Sequence, residues 1–256
     1  MNDSLKYRFD AAMTLRARAP NPVEVQFFEA ESLNKSPQAN GVSQKKTRTK
    51  PTLMPKQARA IQTREHLLDV AGSLLAEVGL EDISTNMICA RAGMSPPALY
   101  RYFADKHAVL EALGMRLMER QNELLIGWLE SSLTSGLDGM FEKVEVVLRE
   151  TAELTAAEPG GVWIERALHA SPRLSHIRIE SHRFVTDALL EVFSTMLPDV
   201  PRDVLWRRIR FLIELGYAAH EMMGEEERIA PETVYAETAR MMRFVLLGDD
   251  GPPKEL

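Results

Sequence analysis

From Gln57 onward, apolar residues recur along the chain at helical rather than strand spacing. Ile61, Leu68, Ala71, Leu75 and Val78 fall three, four and seven apart with Arg and Glu between them, which predicts an amphipathic helix with Gly79 as its C-cap. A short second helix is expected from Ser84 or Thr85, either of which can accept a backbone N–H as N-cap, through Met87, Ile88 and Ala92 to Gly93. Gly93-Met94-Ser95 reads as a tight turn. A third helix is expected to start at Pro96 behind Ser95, because a residue before proline leaves the α region and proline at the first helical position loses no needed hydrogen bond. Pro97 fits less well, since it asks Pro96 to leave the α region in turn. Leu99 and Phe103, four apart, share the inward face of this helix, leaving Tyr100 and Arg101 outward. Asp105 is placed to cap a fourth helix running from Lys106 past Leu117 toward Trp128. Further helices are predicted at about 137–156, 160–170, 175–197, 202–224 and 231–247. Pro159, Pro172, Pro198, Pro201 and Pro231 lie near their ends, where proline is tolerated. With no strand alternation and no internal repeat, the predicted fold class is all-α.

Composition supports helices. Methionine is plentiful at 13 residues while aromatics make up 7%, and Leu, Met, Ala, Glu and Arg lose little rotamer freedom in a helix. At 256 residues, 45% hydrophobic and 27% charged, the chain can bury a proper core. Residues 1–55 differ: they hold five of the 14 prolines, show no sustained period, and read as a disordered basic extension. Met54 opens the first segment that looks folded, so translation starting there is an expectation. The division expected is 1–55 extension, 56–104 helix-turn-helix domain and 105–256 helical domain. A single cysteine, Cys89, excludes an internal disulfide, suits a reducing compartment and reads as an inert buried thiol. With no apolar run long enough to span a bilayer and no signal peptide, the chain reads as cytoplasmic, with no membrane partner.

The formal net charge of -6 argues at first against nucleic acid, but its distribution changes that picture. Residues 45–107 carry ten basic and six acidic groups, whereas 108–256 carry 16 basic and 26 acidic. The tract Lys45, Lys46, Arg48, Lys50, Lys56 and Arg59 contains no acid and reads either as a DNA-binding arm or as a solvated tail. Two short helices at a sharp turn outline a helix-turn-helix. Its second helix would be narrow at its start (Ser95 to Ala98) and clamped from behind by Leu99 and Phe103, as entry into a major groove requires.

Residues 57–113 resemble the DNA-binding domain of TetR-family transcriptional regulators. The resemblance is carried by Gly79, Ser84-Thr85-Asn86, Gly93-Met94-Ser95, Leu99-Tyr100-Arg101-Tyr102-Phe103 and Lys106 at family spacing. It implies an N-terminal three-helix head and a C-terminal helical ligand-binding and dimerisation domain. It also implies that Thr85 and Asn86 reach DNA from the start of the second helix. Ser95, Pro96, Pro97 and Ala98 would enter the major groove, with Arg101 beside them, and Tyr100, Tyr102 and Lys106 would hold phosphates. The departure is Pro96, where members frequently place Lys, Arg or Gln. Base reading would then lean on apolar contact with thymine methyls, on Asn86 and on Arg101. The implied partners are a roughly palindromic double-stranded operator, a small-molecule effector of unknown identity, and a second copy of the chain through helices 202–224 and 231–247. There Leu212, Gly216 and Ala219 offer a small-residue stripe, with Phe244 and Val245 beside it.

The implied function is a ligand-released repressor; a ligand-independent activator or nucleoid-type DNA binder would share the same head. Met118, Trp163, Phe184 and Trp206 are candidates to line a ligand cavity, against the plainer reading that each is ordinary core. His169, His176 and His182 lie seven and six apart, which matches no compact metal motif, so neither metal nor cofactor is expected. No nucleophile elbow, phosphate-binding glycine loop or zinc-protease motif suggests an enzyme.

Overall fold

A computed structural model describes residues 56–248. The basic extension, the tract from Lys45 to Lys50 and the Met54 start lie outside the described residues. Ten α-helices occur among the described residues: α1 (Lys56–Asp82), α2 (Thr85–Ala92), α3 (Pro96–Leu99), α4 (Lys106–Ser132), α5 (Gly136–Glu142), α6 (Val144–Ala157), α7 (Gly161–Ala170), α8 (Ser175–Met196), α9 (Arg202–Met223) and α10 (Pro231–Leu247).

Local side-chain chemistry sets the first boundaries. Ser84, not Thr85, is the N-cap of α2: its Oγ accepts the Met87 N–H at 3.3 Å. Gly93 closes α2 in the left-handed conformation at φ 65, and Asp105 Oδ1 accepts the Ala108 N–H at 2.9 Å to start α4. Ser95 occupies the N-cap position of α3 in an extended conformation but makes no capping bond through its side chain.

Gly79, at φ 80 and ψ 175, leaves the helical conformation as its C-cap reading requires, and a short further turn continues α1 across the kink to Asp82. Two expectations are corrected. The third helix is a single turn that stops at Leu99; Tyr100 to Tyr102 form a turn in which the Tyr102 and Phe103 N–H groups both donate to the Leu99 carbonyl. The expected helix at 137–156 is two helices, α5 and α6, broken at Lys143, whose N–H donates to Met140 O at 3.1 Å.

Among the described residues, those from Ile61 on form one compact unit. A continuous apolar cluster runs from Leu67, Leu68, Ala71 and Leu75 on α1, through Ile88, Leu99 and Phe103, to Leu113 and Leu117 on α4, Leu168 on α7 and Ile177 on α8. Each such fully buried side chain contributes about 1.5–3 kcal/mol relative to exposure. The helix-turn-helix is therefore built on the same core as the first half of the helical body. Beyond it, α9 packs between α8 and α10 while α4 lies against α6, α7 and α8. No helix among the described residues is long and apolar enough to cross a membrane.

Candidate nucleic-acid interface and ligand cavity

The α2–α3 unit has two chemically distinct sides. Ile88, Cys89, Leu99 and Phe103 are buried on one. On the other, Asn86, Ser95, Pro96, Pro97, Tyr100 and Arg101 are exposed, with Thr85 and Ala98 half-buried between them. The Thr85 and Tyr100 hydroxyls lie 3.3 Å apart, so the start of α2 and the end of α3 present their oxygens together. Tyr102 is half-buried and packs on the apolar cluster. The Lys106 ammonium donates to the Leu80 and Glu81 carbonyls at 3.3 and 3.1 Å, tying the start of α4 to the end of α1. Arg91 on α2 binds Glu77 on α1 through two nitrogens at 2.8 and 2.7 Å, and its guanidinium holds the Glu77 carboxyl below the usual range. Such a face offers hydroxyl, amide and guanidinium donors around an apolar tip, the inventory used for phosphate and base-edge contacts.

Behind this face lies a junction that the sequence reading missed. Arg116 on α4, nearly buried, bonds Glu65 and Asp69 on α1 at 3.0 and 2.9 Å, and its other terminal nitrogen lies 2.5 Å from Glu158 after α6. Burial would lower the affinity of Arg116 for its proton, but these carboxylates outweigh it and raise it. The Glu158 side chain is 1% exposed and is also paired with Arg120. Beside the ion cluster, α1 touches the α6–α7 loop backbone to backbone. A Cβ on Gly72 would lie 2.1 Å from the Pro159 carbonyl oxygen, and one on Gly160 would lie 2.0 Å from that of Gly72. Gly160 also takes φ 72, so glycine is required there by conformation and by space.

Two cavities lie along α6 and α9. The wider, about 330 Å³, lies among α6, α7, α9 and the start of α10, with Glu153, Glu165, Arg166, His220, Tyr217 and Tyr235 in its walls. The narrower, about 110 Å³, is apolar and lined by side chains such as Trp128, Phe141, Leu148, Phe193, Ile213 and Met242. Polar groups at the waist are tied together: Tyr217 donates to Gln121 Oε1 at 2.7 Å, the Gln121 amide donates to Glu165 at 2.6 Å, and His220 Nδ1 lies 3.0 Å from Glu165. The His182 ring stacks on Tyr217 at 4.3 Å, and its Nδ1 lies 3.1 Å from Glu214, which also binds Arg178 and Arg210. Burial pushes the His182 imidazole down to about 4.

The structure does not gather the four aromatic and Met candidates in either cavity. Met118 is buried in the cluster shared with the head. Trp163 is exposed under the Arg166 guanidinium, Trp206 donates to Asp187 at 2.8 Å, and Phe184 is half-buried on α8. His169 and His176 bond the carbonyls of Glu165 and Arg173, and among the described residues no group of His, Cys, Asp and Glu could hold a metal ion.

The outer side of α9 and α10 carries an apolar groove lined by Phe211, Leu212, Leu215, Met241, Phe244 and Val245. Phe211 and Phe244 are 70% and 63% exposed, among the most exposed large apolar residues described. Gly216 does not belong to this outer face: a Cβ there would lie 3.3 Å from Met242 and 3.4 Å from Leu148, so the small-residue stripe turns partly inward, toward the narrow cavity.

Comparison with known proteins bears on this arrangement. The model of the bacterial regulatory proteins of the tetR family matches residues 67–113, from the middle of α1 to the first turns of α4. The chain is 32% identical over 101 residues to the HTH-type transcriptional regulator BetI of Escherichia coli, a match covering 36% of this chain and 52% of that protein. It is 32% identical over 60 residues to the tetracycline repressor protein class D of Escherichia coli, covering 23% and 28% of the two chains. These matches thus span about half or less of the curated relatives. In solved structures, a tetR-family transcriptional regulator from Streptomyces coelicolor superposes with a TM-score of 0.56 at 17% identity, covering 72% of this chain and 80% of that one, a likeness of fold. The helix-turn-helix thus carries the sequence pattern of the bacterial regulatory proteins of the tetR family over residues 67–113, and the helical body is similar in fold to solved structures of that family.

Proposed function

We propose that the protein is a homodimeric transcriptional repressor of the cytoplasm that holds a roughly palindromic DNA operator and is released by a small ligand. The observation that carries the reading is the two-sided α2–α3 unit: exposed donors around an apolar tip in front, a buried clamp behind. Thr85 and Asn86 approach DNA from the start of α2. Ser95, Pro96, Pro97 and Ala98 enter the major groove, where the prolines and Ala98 contact thymine methyls and Arg101 meets a base edge or phosphate. Tyr100 and Tyr102 hold phosphates, and Lys106 reaches one with the ammonium N–H left over from its two carbonyl bonds. Two copies joined through the exposed apolar face of α9 and α10 present two such units to successive turns of one duplex face.

Release is a population shift. Ligand in the cavities bears on α6, α7 and α9, and the junction at Glu158, Pro159 and Gly160 carries the displacement to α1. Operator DNA must then weaken the ligand by the same factor by which the ligand weakens the operator. The test is selection of genomic fragments by the purified full chain, followed by sequencing. A two-fold symmetric motif, lost with Tyr100→Ala or Arg101→Ala in protein that remains folded, is the expected result. Selection of random fragments, or a monomer at micromolar concentration in sedimentation, refutes the reading.

A further inference from the structure

The two cavities are parts of one site, because Ala152, Tyr217 and His220 line both. Their chemistry differs end to end. In the wider part, Glu153, Glu165 and Glu221 face a single arginine, Arg166. That guanidinium lies 3.7 Å from Glu225 and 5.3 Å over the Trp163 ring, so its charge is already matched. The narrower part is hydrocarbon and aromatic, with Thr151, Tyr217, His220 and the unpartnered indole N–H of Trp128 as its polar lining groups.

We infer that the joined site takes an amphiphilic organic cation, with an ammonium head in the wider part and an apolar tail in the narrower one. The inference deepens the regulator reading and rests on it. Glu165 is the pivot. Its side chain is 12% exposed at the waist, where it accepts from Gln121 at 2.6 Å and faces His220 Nδ1 at 3.0 Å. Its carboxylate oxygens lie beside the entry to the tail pocket, where they can also accept from an ammonium N–H. Tyr217 and Tyr235 line the same space, but His182 stacks on one and the Arg149 guanidinium lies 5.0 Å over the other, so the carboxylates carry most of the attraction for an ammonium head. Burial pushes both phenols up; Glu165 adds to this at Tyr217, whereas Arg149 opposes it at Tyr235. A carboxylate head would meet three like charges here, and an uncharged head would forgo the attraction.

Calorimetric titration of the full chain, without DNA, with 4-phenylbutylamine, 4-phenylbutanol and 4-phenylbutyrate tests this, since the three probes share one tail and differ in head charge. The amine is expected to bind about tenfold or more tighter than the alcohol, with the carboxylate weakest. Glu165→Gln should bring the amine to the affinity of the alcohol. Gly216→Val, which projects into the tail pocket, should weaken both. If Glu165→Gln does not fold, the ranking on the wild-type chain decides alone. Equal affinity for amine and alcohol, preference for the carboxylate, or no binding of any probe at millimolar concentration overturns the inference. Fragment selection is independent of these titrations. A chain that selects DNA and ignores the amine refutes the ligand class alone; one that binds the amine and selects no DNA refutes the regulator reading.

Discussion

Gly72→Ala isolates the contact between the DNA-binding head and the body. The added methyl would sit 2.1 Å from the Pro159 carbonyl oxygen and 2.9 Å from its carbon, whereas ordinary contact begins near 3.4 Å, so two backbones must part by about an ångström. Overpacking of this kind costs about 1–3 kcal/mol, and the upper end applies because the obstacle is backbone with no rotamer to change. Alanine within a helix returns about 1 kcal/mol. The net expectation is about 2 kcal/mol of destabilisation, or a Tm lowered by about 4–8 °C for a domain of this size. Gly127→Ala, at an exposed position in the C-terminal part of α4 with nothing within 4 Å of its Cβ, is the matched control and should raise stability by about 0.5–1 kcal/mol. Thermal and urea unfolding of the pair read the difference, and hydrogen exchange in α1 should rise with Gly72→Ala alone. If Gly72→Ala stabilises like its control, α1 does not rest on the Pro159 backbone and the proposed route from cavity to head loses its contact.

Arg116→Met should destabilise by about 3 kcal/mol in urea unfolding, the low end for a broken buried pair because Arg120 still faces Glu158. Adding Glu158→Met should recover part of that loss. Because burial depresses His182 from 6.5 to about 4, the unfolded chain takes up its proton first, so stability is full above pH 6.5 and falls as pH drops toward 4. His182→Gln should flatten the Tm profile across that window, while Glu214, held near 2 by Arg210 and His182 against the opposing effect of burial, acts only at lower pH. On operator DNA followed by anisotropy, Tyr100→Phe should weaken binding by about 1.5–3 kcal/mol without changing the salt slope. If Arg101 contacts a phosphate, Arg101→Ala should reduce that slope by about one; an unaltered slope assigns it to a base edge.

Features fixed within a few residues were legible in the sequence. Asp105 and Gly93 act on the backbone one turn away, and Leu99 and Phe103 show their face by spacing alone. Lys143 was not legible as a helix break, since it is a good helix former and the break reflects how α5 and α6 pack. The cavity walls draw on helices as distant in sequence as α4 and α10, so spacing alone could not say which aromatics line them: Trp128, Phe141 and Phe193 do, whereas Trp163 turned to solvent and Trp206 to Asp187. A better signal was polar residues on otherwise apolar stripes, such as Gln121 on α4 and Tyr217 with His220 three apart on α9, because a buried polar group needs partners. The junction left one trace, Glu158-Pro159-Gly160-Gly161, whose buried carboxylate and paired glycines read from sequence as a plain helix stop.

Leu212 lines the narrow cavity and also the outer groove of α9 and α10. The partition between them is thus one side chain thick. Occupying the tail pocket therefore presses on the surface where a second copy would dock, and docking stiffens the wall of the pocket. In the proposed dimer such a shared wall would make effector strength a function of how much protein is present: midpoints measured at nanomolar and at micromolar chain should differ, and Leu212→Ala should shrink the difference.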